Sequence, residues 1–235
     1  GRENFLGPED IQPLLQINLE QVPAIPYSEE ELRKARSEGF MLALRMDKDK
    51  DGRSLTGARL NEVLQARMPR GSRLLYDINW YQNEAFFTQD VCNAGWKLVT
   101  AECVSNSFSQ NYSDQTRTVR DMARVQGVLT PAEESECTDA LLRELAQMAE
   151  RDATWQEAAR RLAELKVNQN HRPKFVESLW DKALTFIVHQ RRNLPNTVTW
   201  SSSRSSSGYL VCIGYFGEDG VHVGYWSPGS GRDSL

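Results

Sequence analysis

Long apolar runs are missing from this 235-residue sequence. The two longest, at 40–44 and 209–213, contain five residues each, whereas a membrane-spanning helix needs about 20. The opening letters, GRENFLGPEDIQP, contain neither the basic start nor the apolar stretch of a secretory signal. We therefore expect a cytoplasmic protein with no membrane partner.

Cysteine is scarce, and its spacing is wide. The four cysteines are Cys92, Cys103, Cys137 and Cys212, and no two of them form a CxxC pair. Structural zinc sites and dense disulfide scaffolds need closer or more numerous cysteines. We therefore expect reduced, mostly buried thiols.

A strong charge of either sign is also absent. Lysine and arginine total 28 and aspartate and glutamate total 32, which gives a net charge of −4 with neutral histidine. An acidic balance without an extended basic stripe argues against nucleic acid as a partner. Arginines nevertheless cluster at two places in the sequence: Arg67, Arg70 and Arg73, and Arg191, Arg192 and Arg204.

The beginning of the sequence is rich in proline. Four of the nine prolines fall within residues 1–27, and proline favours extended backbone in the residue before it. We therefore expect an extended arm over residues 1–27 and one integrated domain over residues 28–235. A capping box formed by Ser28 and Glu31 predicts the first helix of that domain, which Gly39 ends.

Helix and strand patterns alternate along the rest of the chain. Thr130 and Glu133 form a second capping box, and the helical spacing of apolar residues that follows predicts a helical hairpin over about 131–166. Strands are predicted at six places: 40–46, 74–76, 96–104, 197–200, 209–216 and 221–226. The last three predict an antiparallel meander over about 196–226. The expected fold class is α+β, with helices packed against a mainly antiparallel sheet.

An alternating acidic segment resembles the start of a calcium-binding loop. Asp47, Asp49 and Asp51 alternate with lysines and precede a glycine. A loop of this kind also needs a bidentate glutamate at its twelfth position, where this sequence has Ala58. We therefore interpret the segment as a solvated turn and expect no metal site. No motif in the sequence indicates a bound cofactor.

The last two strands predict a surface of aromatic side chains. With residues 218–219 at the tip of their hairpin, a strict register places Tyr215 opposite His222 and Cys212 opposite Tyr225. Cys212 then lies on an apolar face. The opposite face is the candidate ligand-binding surface, with Tyr209, Tyr215, His222 and Trp226. Aromatic rings with polar atoms suit flat or stacked ligands, and the alternative is that helices cover this face as part of the core.

Two functions from different classes remain open. The first, which we favour, is a non-catalytic binding protein that uses the aromatic sheet face or the acidic helical hairpin to bind a small molecule or a protein. The alternative is a hydrolase-type enzyme with a site assembled from sequence-distant groups: His222, His189, Asp77 and Glu177. An enzyme predicts titratable groups with perturbed pKa values in one place, whereas a binding protein predicts an exposed patch.

Several stretches together resemble a family of uncharacterised bacterial proteins. The matching stretches are IPYSEEEL at 25–32, WY at 80–81, FFT at 86–88, GWKLV at 95–99, residues 106–115, WQEAA at 155–159, RP at 172–173, VE at 176–177, residues 211–226 and PGS at 228–230. The family has no established activity, cofactor or catalytic residues. The resemblance implies a bacterial, cytoplasmic protein built as one integrated unit.

Overall fold

The structure, a computed structural model, describes residues 2–100 and 109–231. The chain forms two compact units, each assembled from three separate stretches of sequence. Unit 1 comprises residues 1–102, 176–195 and 215–222, and unit 2 comprises residues 103–175, 196–214 and 223–235. Neither unit is a continuous piece of the chain, and the single domain over residues 28–235 stays a prediction.

Helices and strands follow one another in an α+β arrangement. The helices are α1 (Pro8–Leu15), α2 (Glu29–Ser37), α3 (Gly57–Gln65), α4 (Ala85–Thr88), α5 (Tyr112–Val125), α6 (Pro131–Glu136), α7 (Asp139–Ala149), α8 (Trp155–Glu164), α9 (Lys166–His171) and α10 (Phe175–His189). The strands are β1 (Phe5–Leu6), β2 (Phe40–Arg45), β3 (Gly95–Thr100), β4 (Val198–Arg204), β5 (Leu210–Gly217) and β6 (Gly220–Trp226). They form two three-stranded sheets, ordered β1–β2–β3 and β4–β5–β6, which confirms the predicted fold class and meander. Across residues 2–100 and 109–231, no helix is long and apolar enough to cross a membrane.

In unit 1, β2 is the central strand of the first sheet. It pairs in parallel with β1 and antiparallel with β3. Residues 41–45 are all buried, as expected of a strand that is covered on both faces. The strand predicted at 40–46 is confirmed. Of the strand predicted at 96–104, residues 101–104 lie outside the described residues.

Helix α10 packs along β2 in unit 1. The indole Nε1 of the buried Trp180 donates a hydrogen bond to the carbonyl of Leu44 at 2.9 Å. One turn further on, the hydroxyl of Thr185 lies 3.8 Å from the sulfur of Met41. Because later helix residues contact earlier strand residues, α10 runs opposite in direction to β2.

Arg45, the last residue of β2, carries a positive charge into the interior of unit 1. Its Nε and Nη2 donate to the two carboxylate oxygens of Asp181 at 3.1 and 2.5 Å, and its Nη1 lies 3.4 Å from Glu177 Oε2. Burial opposes the charge, but the neighbouring Asp181 carboxylate outweighs burial and raises the pKa of Arg45. Removing one partner of a buried pair costs about 3–5 kcal/mol, so this pair fixes α10 on β2.

The prediction of an extended arm over residues 1–27 is wrong at α1. Pro8 stands at the first helical position, where a missing N–H has no consequence. Asp10 accepts a hydrogen bond from the backbone N–H that precedes the helix. Ile11 and Leu15 are buried, so the burial of apolar side chains outweighs the proline inside the helix.

The capping box predicted for the next helix is present. The Ser28 hydroxyl accepts a hydrogen bond from the Glu31 N–H at 3.2 Å, and the Glu31 carboxylate accepts one from the Ser28 N–H at 2.7 Å. After α2, Gly39 adopts a φ of +84°, which a glycine tolerates without strain. Both predicted ends of this helix are confirmed.

Unit 2 contains more helices than the predicted hairpin over 131–166. Helices α7 and α8 pack against each other, but the first predicted helix is interrupted between Glu136 and Asp139. The hydroxyl of Thr138 accepts a hydrogen bond from the Leu141 N–H at 3.2 Å. A second N-cap therefore restarts the helix after the interruption.

The interior of unit 2 combines an apolar core with a polar network. The core is drawn from its helices and from β4 and β5: Tyr112, Val119, Leu142, Leu145, Ala159, Leu162, Val167, Trp200 and Leu210. Beside it the buried Arg172 donates to Asn168 Oδ1 at 3.0 Å and to Gln115 Oε1 at 3.1 Å, over the face of the Tyr112 ring. Burial lowers the pKa of Arg172. Neutral side chains thus solvate this charge in place of water.

Strands β4 and β5 pair antiparallel in unit 2, with Trp200 opposite Cys212. The register shifts after this pair, and there the hydroxyl of Ser201 donates to the carbonyl of Val211 at 2.7 Å. Residues 201–204, which are mostly serines, therefore belong to β4. The sequence pattern places them instead between the strands predicted at 197–200 and 209–216.

Truncating Trp180 tests how α10 is held on β2. Trp180 is fully buried, so we expect Trp180→Ala to lower the free energy of unfolding by about 3–5 kcal/mol in urea denaturation. Trp226→Ala is the matched control, because this indole is 36% exposed and its removal leaves a smaller cavity. Equal losses for the two variants would contradict the packing described here.

Candidate functional site

In unit 1, the hairpin formed by the ends of β5 and β6 packs closely against residues 74–76. The Val221 N–H donates to the carbonyl of Leu74 at 2.8 Å, and the Tyr76 N–H donates to the carbonyl of Val221 at 3.1 Å. Gly220 has a φ of +106°, and a Cβ there would lie 2.7 Å from the Leu75 backbone. Glycine is therefore required at this position, and the close approach fixes Tyr76 beside the hairpin.

An exposed group of three rings results. The Tyr76 ring stacks on the His222 imidazole with centroids 4.3 Å apart and planes 2° from parallel. Tyr215 approaches the same imidazole edge-on at 6.3 Å. The Nε2 of His222 lies 3.0 Å from the Asp219 carboxylate. We call Tyr76, Tyr215 and His222 the aromatic cluster.

The two tyrosines of the aromatic cluster face solvent. Tyr76 is 48% exposed and Tyr215 is 52% exposed, while Gly214 and Phe216 on either side of Tyr215 are buried. Because both rings hold their positions without full burial, they offer planar apolar surface to another molecule.

The backbone of Tyr215 is strained. Its φ is +47°, a left-handed conformation that costs an ordinary residue about 1–2 kcal/mol. A residue of this kind inside a strand is typical of a β-bulge, which turns a side chain away from its regular direction. The Tyr215 ring is exposed and lies beside His222.

The contacts in unit 2 correct the predicted strand register. A Cβ on Gly224 would lie 3.4 Å from the sulfur of Cys212, and the ring of Tyr225 lies 4.9 Å from that of Tyr209. The prediction that Cys212 faces Tyr225 is therefore wrong, because Gly224 lies on the Cys212 side of β6 and Tyr225 lies on the Tyr209 side. Tyr215, whose φ is positive, lies between these contacts and the turn from which the strict register was counted.

The four predicted ligand-binding residues consequently fall into two groups. Tyr215 and His222 contact each other in unit 1. In unit 2, Tyr209 packs between Trp155 and Tyr225, whereas Trp226 lies on the Gly224 side of β6. A role of Tyr209 and Trp226 in ligand binding stays a prediction.

Tyr76 is the member of the aromatic cluster that sequence reasoning missed. It lies 146 residues before His222 in the chain, and no local pattern indicates this contact. A weak signal exists, because residues 74–76 have a strand-like pattern, and Leu75 does form an isolated parallel bridge with Val221.

The candidates for the hydrolase alternative have different partners. The Nε2 of His189 lies 2.9 Å from the carbonyl of Phe5. Glu177 lies beside Arg45, and the Asp77 carboxylate accepts a hydrogen bond from the Asn79 N–H. Each of the three side chains thus has a structural partner of its own, and none of these contacts joins two of the candidates.

A carboxylate–histidine pair that the sequence pattern did not indicate lies in unit 2. Both oxygens of the buried Glu133 lie 3.1 Å from His171 Nε2. The same carboxylate accepts hydrogen bonds from Asn170 Nδ2 at 2.7 Å and from the Thr130 N–H at 2.8 Å. Burial opposes the charge, but these hydrogen bonds outweigh it and lower the pKa of Glu133 to about 2. Glu133 therefore orients the imidazole.

The thiol that follows α6 in the chain, that of Cys137, is not activated. Burial raises the pKa of Cys137, the residue after that helix, to about 11, so its thiol stays protonated at neutral pH. We interpret the Glu133 contacts as the device that joins the start of α6 to the end of α9.

The calcium-like segment forms a turn closed by its own side chains. One oxygen of Asp49 accepts from the N–H groups of Asp51 and Arg53, and the other accepts from Arg53 Nε at 2.8 Å. Within the part of the chain that the structure describes, no three His, Cys, Asp or Glu side chains are placed to hold a metal ion.

The acidic side chains of the helices in unit 2 are paired within the unit. Glu144 lies 2.8 Å from Arg161, and Arg160 bridges Glu157 and Glu164. These exposed pairs neutralise much of the surface that the sequence suggested as an acidic binding face.

No protein-family model, curated protein sequence or solved structure matches this chain.

Acid titration tests the Glu133 contacts. Because the pKa of Glu133 is lowered to about 2 from an ordinary value near 4.3, its stabilising contribution is complete above about pH 4.5 and is lost as the pH falls toward 2. We expect Glu133→Gln to cost about 1–3 kcal/mol at pH 7, with a smaller cost at pH 2.5. The measurement is urea unfolding at both pH values, and a difference between wild type and variant that is the same at both would contradict this assignment.

Proposed function

We propose that this protein is a non-catalytic binding protein whose contact surface is the aromatic cluster of unit 1. The observation that carries the proposal is the exposed stack of Tyr76 on His222, with Tyr215 held beside it in a strained conformation. Aromatic side chains dominate the energetics of many binding surfaces because they bury much area at a small entropy cost.

The chemistry of the aromatic cluster favours a partner with a planar group. Tyr76 and Tyr215 present ring faces and hydroxyls, and His222 is held in orientation by Asp219. A ring that stacks on such a surface gains about 0.5–1.5 kcal/mol beyond the area that it buries. Several such contacts are needed for binding in the micromolar range.

The other surface that the sequence suggested is less suited to binding. On the helices of unit 2, acids such as Glu144 and Glu157 are already paired with arginines. The arginines already offset the acidic charge that would attract a basic partner. The aromatic cluster has no such competition for its ring faces.

The hydrolase alternative has weaker support. His171 is oriented by Glu133, as a general base requires, but burial raises the pKa of Cys137, the residue after α6, and keeps its thiol protonated. The aromatic cluster needs no further group to act as a binding surface.

Tyr215→Gly separates binding from folding. Glycine adopts a positive φ without strain, so we expect the free energy of unfolding to stay within about 1 kcal/mol of wild type. The loss of the ring should weaken binding of a planar probe by about tenfold, the equivalent of about 1.4 kcal/mol. The probes are adenosine and N-acetyltryptophanamide, followed by NMR signals of the His222 and tyrosine rings.

Tyr225→Ala serves as the matched control, because Tyr225 is an exposed tyrosine of unit 2. It should leave the response of the His222 signals to both probes unchanged. The proposal fails if neither probe shifts the signals of the aromatic cluster, or if Tyr215→Gly binds as wild type does.

A further inference from the structure

Three arginines precede Tyr76 in the chain, and all are exposed: Arg67, Arg70 and Arg73. In residues 2–100 and 109–231, no carboxylate lies within the 4.0 Å ion-pair distance of these three guanidinium groups. Arg33, another exposed arginine of unit 1, differs from these three because it pairs with Glu29. We call residues 67–73 the arginine loop.

The arginine loop is held in a compact shape. The side chain of Gln65 donates to the carbonyl of Ser72 at 3.0 Å and accepts a hydrogen bond from the Leu74 N–H at 2.8 Å. The Ser72 N–H also donates to the carbonyl of Pro69. The side chain of Gln65, the last residue of α3, thus joins the end of the arginine loop to the helix that precedes it.

The arginine loop adjoins the aromatic cluster. The Arg73 N–H donates to the carbonyl of Glu218 in the hairpin at 3.3 Å. Its guanidinium Nη1 lies 3.5 Å from the carbonyl of Tyr76. The positive charge of Arg73 therefore lies next to Tyr76, one of the stacked rings, in unit 1.

The second arginine group of the sequence differs from this loop. The Arg192 guanidinium lies over the Phe186 ring at 4.4 Å, and Arg191 donates to the Asn4 side chain. These two side chains are engaged inside unit 1, so they differ from the exposed arginines of the arginine loop.

We infer that the aromatic cluster and the arginine loop together bind single-stranded nucleic acid. This inference rests on the proposed function and names the partner of the same surface. Bases stack on exposed aromatic rings whatever their sequence, while arginines bind the phosphates that follow. The pairing of planar faces with adjacent unpaired cations is the combination that such strands require.

The net charge of −4 argues against general binding to duplex DNA, but it is compatible with the binding of a short single strand at the arginine loop. General binding to duplex DNA requires a long basic stripe, whereas the arginine loop supplies three cations. A footprint of a few nucleotides fits this charge. Three acidic residues adjoin the cluster: Asp77, Glu218 and Asp219. The carboxylate of Asp219 is held by His222, and that of Asp77 accepts a hydrogen bond from the Asn79 N–H.

The test is fluorescence anisotropy with a labelled single-stranded octathymidylate and the full chain. With three phosphates neutralised, we expect the logarithm of the binding constant to fall with the logarithm of the salt concentration at a slope of about −2. Arg73→Ala should reduce this slope by about 0.7. Tyr76→Ala should weaken binding by about five- to 150-fold at an unchanged slope.

Arg33→Ala is the matched control, because it removes an exposed arginine of unit 1 away from the arginine loop. It should bind as wild type does. Circular dichroism and urea unfolding of each variant establish that the fold is retained. Arg67→Ala with Arg70→Ala gives a second measurement of the slope, independent of Arg73.

Several outcomes would overturn the inference. One is that the protein binds an octamer duplex, thymidine monophosphate or octaglutamate as tightly as it binds octathymidylate. Another is that wild type, Arg73→Ala and Tyr76→Ala bind octathymidylate equally tightly. Absence of octathymidylate binding at 20 mM salt overturns it as well. If adenosine still shifts the His222 signals in that case, the proposed binding function survives without this partner, and if it does not, both fail.

Discussion

The pairing of Arg45 with Asp181 is the constraint on which unit 1 depends, because a buried guanidinium without a partner would cost several kcal/mol. Arg45 ends the central strand of its sheet, so satisfying its charge sets where α10 lies along that strand. The indole of Trp180, one residue earlier on the helix, then reaches the carbonyl of Leu44. Unit 2 solves the same problem differently, since amides and a tyrosine ring surround Arg172.

A second constraint is the close approach of the hairpin to residues 74–76 at Gly220, which forms the aromatic cluster on the surface of unit 1. Only a residue without a Cβ allows the hairpin to approach the Leu75 backbone so closely. The hydrogen bonds that follow hold Tyr76 where its ring stacks on His222. The aromatic cluster therefore depends on backbone contacts between segments that are distant in sequence, and its rings need little burial to stay in place.

Features with a local physical cause could be predicted from the sequence. The capping box of Ser28 and the buried strand β2 follow from hydrogen-bonding groups and apolar patterns within a few residues. The contact of Tyr215 with His222 also follows from a two-residue turn. The stack with Tyr76 could not be predicted, because it depends on packing across 146 residues. The register error beyond Tyr215 has a similar origin, since a tyrosine carries no signal for a positive φ.

The strain at Tyr215 links the fold to the proposed binding role. A left-handed backbone costs this residue about 1–2 kcal/mol, and a glycine would avoid that cost. A buried ring would recover it through apolar burial, but this ring is 52% exposed and has an edge contact with His222. The buried half of the ring therefore offsets less of this cost than a fully buried ring would. We propose that contact of the ring with a second molecule supplies a further gain, which is the physical reason to place the binding surface here.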